Sequence, residues 1–245
     1  MSATELRSGP VTLPLTLHGR IYLLAHDRNR HRLDLERLWL LGFSLRAAML
    51  TDLYLTGKLH DVEGGAHLVG SARHSDPVLS EVLGMIGADE PKTWAGLVAA
   101  EQDNAPTLVR HQLTGHRWLQ LQRYRKLGMF PATRLWLSNE PMVAQLAAGV
   151  QTAVADALDG RRADHHLLAL GLIGALGEIP TVVRDEDRAR HAERLRAVTD
   201  EAIPPIAGLR QAIESVYAEL GGRPRDGGSG GCGGGGCGGC GGCGG

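Results

Sequence analysis

The chain has 245 residues, enough for one large domain with a substantial core, and its 26 lysines and arginines nearly balance its 27 acidic residues. This balance excludes the overall basic field of nonspecific nucleic-acid binders, so recognition of an anion has to be local. Arg46 and Asp52 interrupt the longest apolar run, and the N-terminus lacks a basic region followed by an apolar one. We therefore expect neither a transmembrane span nor a signal peptide.

The first part of the chain predicts two helices separated by a polar loop. Thr16 is a candidate N-cap for the first helix, and an arginine-rich loop follows at 27–34. The second helix is predicted at about 35–56, with Gly57 as its C-terminal stop.

Helical patterns continue through the rest of the chain. The Asp76-Pro77 pair predicts a helix over 77–86, since aspartate caps a helix and proline fits the first helical position. Pro91 or Thr93 starts another. The remaining predicted helices cover 106–127, 141–158, 165–178, 185–200 and 206–220.

Two segments predict β-hairpins. "KLHDVEGGAHLVG" has short alternating runs around Glu63-Gly64-Gly65, and "MFPATRLWLSNEP" follows Gly128. The second carries Leu135, Trp136 and Leu137 in succession, and these cannot all point inward because neighbouring residues of a strand alternate faces. We therefore predict a mainly α fold, a single compact helical domain over 11–220 with short β-hairpins, preceded by a flexible N-terminus at 1–10.

All four cysteines lie in the last fourteen residues, so the body of the chain contains none and folds without disulfides, as is typical of a cytosolic protein. They are Cys232, Cys237, Cys240 and Cys243, embedded in glycine. Glycine offers neither a shielding side chain nor rigidity, so we expect a disordered, redox-exposed tail at 221–245. Metal chelation by these cysteines and their enzymatic modification are the alternatives.

Sequence motifs of catalysis are absent. The eleven histidines are scattered, and there is no HExxH, no G-x-S-x-G, no Walker loop and no G-x-G-x-x-G after a strand. We therefore expect a protein that is not an enzyme and needs no cofactor.

Arg46 is a permanent cation within a strongly apolar helix. On an ideal helix the same face carries Trp39, Gly42, Phe43, Met49, Leu50 and Leu53. Burying a guanidinium without a partner costs several kcal/mol, so an anion is expected beside it. The alternatives are an internal salt bridge and a pocket in which Arg46 receives a phosphate through two parallel hydrogen bonds.

Four blocks carry a family resemblance: "LTLHGRIYLLAHD" (15–27), "GFSLRAAMLTDLYLTGKL" (42–59), "HQLTGHRWLQLQRYRKLGMF" (111–130) and "DHHLLALGLIGAL" (164–176). In their order and separation they resemble the Golgi phosphoprotein 3 family, including its bacterial members, over about residues 11–220. The resemblance implies a mostly helical fold with short hairpins. It also implies binding of phosphatidylinositol 4-phosphate, the ligand of the eukaryotic members on the cytosolic face of the Golgi.

The resemblance implies specific residues for the phosphate. Arg46 lies at the position of one phosphate-binding arginine, and a later pair of family arginines falls on Thr114 and Arg117, so one of the pair is lost. The family's tryptophan falls on Arg37, and Trp39 is a candidate replacement. The lost arginine removes a bond worth roughly 1.5 to 3 kcal/mol, so we do not expect strict selectivity for the 4-phosphate.

Other cations are candidates to compensate for that loss. Arg110 would project beside Arg117 on an ideal helix. Loop arginines would meet anionic lipid at about 1 kcal/mol each, or form only a solvated loop; they are Arg28, Arg30 and Arg32. The second hairpin resembles a family element of self-association and membrane contact, which Leu135, Trp136 and Leu137 suit chemically. Alternatively, both leucines pack on the body and the tryptophan covers them.

The leading prediction is a cytoplasmic, non-catalytic adaptor at the cytoplasmic face of a membrane. Its expected partners are an anionic phospholipid headgroup, the membrane surface and further copies of itself, with no nucleic acid. The alternative is a regulator in which the helix and hairpin of 107–137, including the basic run "RWLQLQRYRK", bind nucleic acid.

Overall fold

The structure is a computed structural model that describes residues 13–27, 32–33, 37–86, 91–126 and 129–219; at 123–126 and 130–133 the description covers the backbone alone. The described part contains ten helices and seven short strands, which confirms the mainly helical fold with short hairpins. The expected flexible N-terminus at 1–10 and the cysteine tail at 221–245 lie outside the described residues, as do Arg28 and Arg30.

The helices are α1 (Leu17–Leu24), α2 (Leu38–Leu55), α3 (Pro77–Met85), α4 (Trp94–Ala99), α5 (Ala105–Gly115), α6 (Glu140–Leu158), α7 (His165–Leu176), α8 (Asp185–Arg190), α9 (Ala192–Asp200) and α10 (Pro204–Glu219). The strands are β1 (His26–Asp27), β2 (Arg32–Leu33), β3 (Leu59–Val62), β4 (Gly65–Leu68), β5 (Lys92–Thr93), β6 (Leu119–Lys126) and β7 (Phe130–Leu137). They form three antiparallel sheets, in the orders β1-β2, β3-β4-β5 and β6-β7.

Helix α2 is the centre of the core. It is buried along most of its length and contacts α1, α4, α5, α7 and α10. A helix that is apolar all round is stable only when other elements cover every side. In length and composition it is the one described helix that could cross a membrane, but 72% of it is buried inside the protein. This burial favours a core helix.

Local capping signals predicted several helix starts correctly. Asp76 Oδ1 accepts hydrogen bonds from the backbone amides of Val78 and Leu79, at 2.9 and 3.1 Å. Thr93 Oγ1 accepts one from the amide of Gly96. The first hairpin is also confirmed, because Glu63 and Gly64 have φ angles of 52° and 81°, the pair of positive angles that a tight two-residue turn requires.

Two helix predictions were wrong. The helix predicted over 106–127 ends at Gly115, and Leu119–Lys126 forms strand β6 paired with β7. The reason is visible in "LQLQ" at 119–122, whose apolar and polar residues alternate with the period of a strand. The helix predicted over 185–200 is divided at His191 into α8 and α9.

Four helices end with the same pair of backbone hydrogen bonds and a left-handed residue just beyond the C-cap. Glu101, after α4, is also left-handed but lacks this pair of bonds. In α2 and α6 the left-handed residue is glycine, Gly57 and Gly160, with φ of 69° and 74°. In α5 and α7 it is Arg117 and Glu178, with φ of 61° and 53°. Glycine is the residue that adopts this conformation without steric cost. The two charged residues are therefore exceptions that need a reason.

Candidate functional site

Arg46 is buried, with 2% of its surface exposed, and its guanidinium is bound inside the protein. Its Nε and Nη2 donate hydrogen bonds to the carbonyl oxygen of Leu97 at 3.3 and 3.0 Å. Burial lowers the pKa of Arg46, while the negative charges of Glu101 and Glu81 raise it. The direct partner of Arg46 is thus a carbonyl, and the Glu81 and Glu101 carboxylates act on it from within the chain without forming an ion pair.

The space beside Arg46 is small. The cavity there has a volume of about 20 Å³ and is lined by Glu81 and Glu101, among other residues. Such a volume holds about one water molecule. Gly42 lies next to the turn that carries Glu101: a Cβ at this position would lie 2.3 Å from the carbonyl oxygen of Gln102, so only glycine lets this turn approach α2 so closely.

Arg117 has the opposite environment. It follows the end of α5, where its amide donates to the carbonyl of Thr114 at 3.0 Å and that of Trp118 donates to the carbonyl of Leu113 at 2.8 Å. Ser138, after β7, donates its hydroxyl to the Arg117 carbonyl at 2.5 Å. The Arg117 side chain is exposed and makes no ion pair or hydrogen bond with any described residue. Its backbone is held in place while its charge faces solvent.

The structure does not bring Arg46 and Arg117 into one cavity. The cavity of Arg46 is lined by Asn104, Ala105 and Leu108 at the start of α5, whereas Arg117 follows the other end of that helix. The helix rise from Leu108 to Gly115 alone separates them by roughly 10 Å. The predicted alignment of Arg110 with Arg117 on one helix face also fails, because Arg117 lies beyond the helix.

Thr114 and Arg110 are neighbours on the last turns of α5. The Thr114 hydroxyl donates to the Arg110 carbonyl at 2.7 Å, a bond within the helix. The half-buried Arg110 lies close enough to Tyr22 of α1 to affect its ionisation. Burial raises the pKa of Tyr22 to about 12, and the positive charge of Arg110 acts in the opposite direction. The positive charge of Arg110 therefore acts on Tyr22 of α1.

Arg37 and Trp39, predicted at the edge of a lipid pocket, contact other parts of the chain. Arg37 donates two hydrogen bonds to the carboxylate of Asp185, at 3.1 and 2.8 Å, and one to the carbonyl of Glu178 at 2.9 Å. The Arg37 bonds lower the pKa of Asp185. The Trp39 ring packs edge-to-face on Tyr217 of α10, with centroids 5.6 Å apart. Arg37 thus joins α2 to α8, and Trp39 joins α2 to α10.

The second hairpin consists of β6 and β7, so its first strand precedes the segment 129–141 in which the hairpin was predicted. It presents two different faces. Leu135 and Leu137 are buried on one face, as one of the two alternatives predicted, and the Leu135 carbonyl accepts a hydrogen bond from His26 Nε2 at 2.8 Å. Trp136 points to the other face, where its Nε1 donates to Gln122 Oε1 at 3.0 Å. Among the side chains of this hairpin that the structure describes, two apolar ones are largely open to solvent, Leu121 at 47% and Met129 at 75% exposure.

The described residues contain no group of three or more histidine, cysteine, aspartate and glutamate side chains that could hold a metal ion. The four candidate cysteines, Cys232, Cys237, Cys240 and Cys243, lie outside the described residues.

Comparison with known proteins identifies the family. No curated protein matches the chain. The family model of Golgi phosphoprotein 3 (GPP34) matches residues 17–216, from the first residue of α1 into α10. This range includes the core around α2, the Arg117 turn and both hairpins. The chain therefore belongs to the Golgi phosphoprotein 3 family.

Proposed function

We propose that the protein is a peripheral, non-catalytic adaptor that binds anionic phospholipid headgroups at the cytoplasmic face of a membrane, with Arg117 as its principal contact. Membership of the family fits an adaptor with membrane-related interactions. The family resemblance makes phosphatidylinositol 4-phosphate the first headgroup to test.

The backbone of Arg117 is the observation that carries this proposal. A left-handed conformation costs a residue with a Cβ roughly 1 kcal/mol, and glycine at this position would avoid the cost. Strain of this kind is often found at functional sites. Because the described residues offer the Arg117 side chain no anion, an external anion accounts best for an arginine here.

The hairpin beside Arg117 has the chemistry of a membrane interface. Ser138 ties the Arg117 backbone to the base of the hairpin, and Met129 near its tip is 75% exposed. Exposed apolar side chains insert shallowly between headgroups, and an indole such as that of Trp136 suits the same depth. One arginine at an anionic surface contributes about 1 kcal/mol. Binding by one copy would be weak, so several copies acting together would be needed for firm attachment.

Arg46 and Arg37 have internal roles in this proposal. Each guanidinium is already engaged, Arg46 by the Leu97 carbonyl and Arg37 by Asp185. A headgroup at either would have to displace these contacts. We therefore assign the membrane contact to Arg117, beyond the end of α5, and treat Arg46 as a structural cation.

The test is flotation of the full chain with phosphatidylcholine vesicles that contain or lack phosphatidylglycerol or phosphatidylinositol 4-phosphate. We expect binding to the anionic vesicles only, weakened by high salt because exposed charges are screened. Arg117→Ala should reduce the affinity about fivefold or more. The matched control is Arg162→Ala, since Arg162 is also exposed and makes no ion pair with the described residues.

Two results would contradict the proposal. One is equal binding to neutral and anionic vesicles. The other is an equal effect of Arg117→Ala and Arg162→Ala, which would mean that the surface attracts lipid without a specific contact. Preferential binding to a DNA duplex with a steep salt dependence would instead favour the nucleic-acid alternative.

A further inference from the structure

A second region with the features of a ligand site lies away from Arg117. It is a cleft of about 520 Å³ between strand β1, helix α6 and the segment that joins α7 to α8. This volume is within the usual range for pockets that bind one small molecule.

The floor of the cleft is made of small apolar side chains. Ala144, Ala147 and Ala148 of α6 line it, together with Ala25 after α1. Positions 144, 147 and 148 are spaced by three and four residues and so share one face of the helix. Methyl groups provide an apolar surface without filling the volume above it, so the cleft suits a hydrocarbon part of a ligand.

The walls are tied together by hydrogen bonds within the protein. Gln151 Nε2 donates to the Thr181 carbonyl at 2.8 Å, which joins α6 to the opposite wall. The Thr181 hydroxyl donates to the Leu24 carbonyl, and His26 Nε2 donates to the Leu135 carbonyl at 2.8 Å. A cleft with fixed walls requires little ordering when a ligand binds.

Arg184 gives the cleft its charge preference. It lines the cleft, is exposed, and makes no ion pair or side-chain hydrogen bond with any described residue. Asp27, the acidic residue of the lining, already has an interaction elsewhere and forms no ion pair with Arg184. The planar guanidinium of Arg184 can donate two parallel hydrogen bonds to a carboxylate or phosphate.

We propose that this cleft binds a single-chain anionic amphiphile, with the phosphate or carboxylate on Arg184 and the hydrocarbon part on the alanine floor. The site uses none of the residues assigned to the membrane contact. It therefore stands or fails independently of the proposed lipid-surface function.

The test is calorimetric titration of the full chain with dodecyl phosphate below its micelle concentration. Dodecyl maltoside supplies the same chain without the charge, and inorganic phosphate supplies the charge without the chain. We expect dodecyl phosphate to bind at least about tenfold more tightly than either. Arg184→Gln and Ala148→Leu should each weaken it about tenfold, the first by removing the cation and the second by filling the cleft.

Matched variants and a vesicle measurement complete the design. Arg162→Gln and Ala155→Leu change an exposed arginine and an exposed alanine of α6 that do not line the cleft, so both should bind like the unchanged protein. If Arg184→Gln also loses binding to phosphatidylglycerol vesicles, the amphiphile is drawn from the membrane; if vesicle binding is unchanged, it is taken from solution. Wild-type affinity in Arg184→Gln, or equal binding of dodecyl maltoside or of phosphate alone, would overturn the proposal.

Discussion

The ends of α5 and α7 have the same backbone geometry but use it differently. Each helix ends with a charged residue, Arg117 or Glu178, in the left-handed position that glycine occupies after α2 and α6. The Glu178 carboxylate lies 3.4 Å from Arg188 and 3.7 Å from Arg37, so its charge is used inside the protein. The Arg117 side chain has no such partner among the described residues. The charge at this position is thus used inside the protein at α7, whereas at α5 it faces solvent.

Arg46 extends this comparison. It is the arginine with the most complete burial in the described core, and it is bound within the chain by the Leu97 carbonyl, with the negative charges of Glu81 and Glu101 also acting on it. A cation that is satisfied inside the protein contributes to stability, whereas an unsatisfied exposed cation is available for binding. The distinction yields four predictions.

The largest expected effect is that of Arg46→Ala. The change leaves the Leu97 carbonyl and the nearby carboxylates without their cation and opens a cavity, so we expect a loss of about 3 to 5 kcal/mol in the free energy of unfolding. Urea denaturation would measure it as a lower midpoint with an unchanged slope. The folded fraction should still bind anionic vesicles. Near-normal stability together with lost vesicle binding would show that Arg46, and not Arg117, holds the headgroup.

The second prediction tests whether Arg110 faces α1. With the pKa of Tyr22 raised from 10.0 to about 12, the folded protein keeps a proton that the unfolded chain releases above pH 10. The resulting stabilisation is full below pH 10 and is lost as the pH rises through about 12, by about 2 to 3 kcal/mol.

Tyr22→Phe removes this dependence, so its stability should fall less than that of the unchanged protein between pH 10 and 12. In Arg110→Ala the Tyr22 pKa should rise further, because the opposing charge is gone. Urea denaturation at several pH values between 10 and 12 would measure the change in stability. Absorbance titration of tyrosinate, with Tyr22→Phe as the reference, would measure the Tyr22 pKa. An unaltered Tyr22 pKa in Arg110→Ala would mean that Arg110 points away from α1 and is free to join Arg117.

The third prediction compares the two helix ends directly. Glu178→Ala and Arg117→Ala both keep a Cβ in the left-handed conformation, so only the charge contacts differ. Glu178→Ala loses its contacts with Arg37 and Arg188 and should cost about 1 kcal/mol. Arg117→Ala should change the free energy of unfolding by less than about 0.5 kcal/mol. Equal losses in the two variants would remove the contrast between the ends.

What the sequence revealed depended on the distance over which each interaction acts. The capping roles of Asp76 and Thr93 and the turn at Glu63-Gly64 were predictable, because each is determined by residues within four positions. Strand β6 was missed because the helix predicted over 106–127 was extended through residues 119–122. The alternation of apolar and polar residues at 119–122 is the local pattern that indicates a strand.

The partners of the arginines could not be predicted in the same way. Arg46 is compensated from positions 81 and 101, and Arg37 is bound by Asp185, 148 positions away. A single sequence does not show which distant carboxylate packs against which helix. The missing glycine at position 117 was a usable signal, since Gly57 and Gly160 both occupy the equivalent position after other helices.

The smallest and most specific effect is expected for Arg117→Gly. Glycine relieves the left-handed strain, so the free energy of unfolding should rise by about 0.5 to 1 kcal/mol, while binding to anionic vesicles falls as it does in Arg117→Ala. A residue that lowers stability and raises lipid affinity is retained for binding.

Parallel urea denaturation and flotation of Arg117→Gly, Arg117→Ala and Arg117→Lys would separate the effect of the charge from that of the backbone strain, since lysine keeps both. If Arg117→Gly were less stable than Arg117→Ala, the strain would not be real, and the main reason to look outside the protein for the anion would disappear.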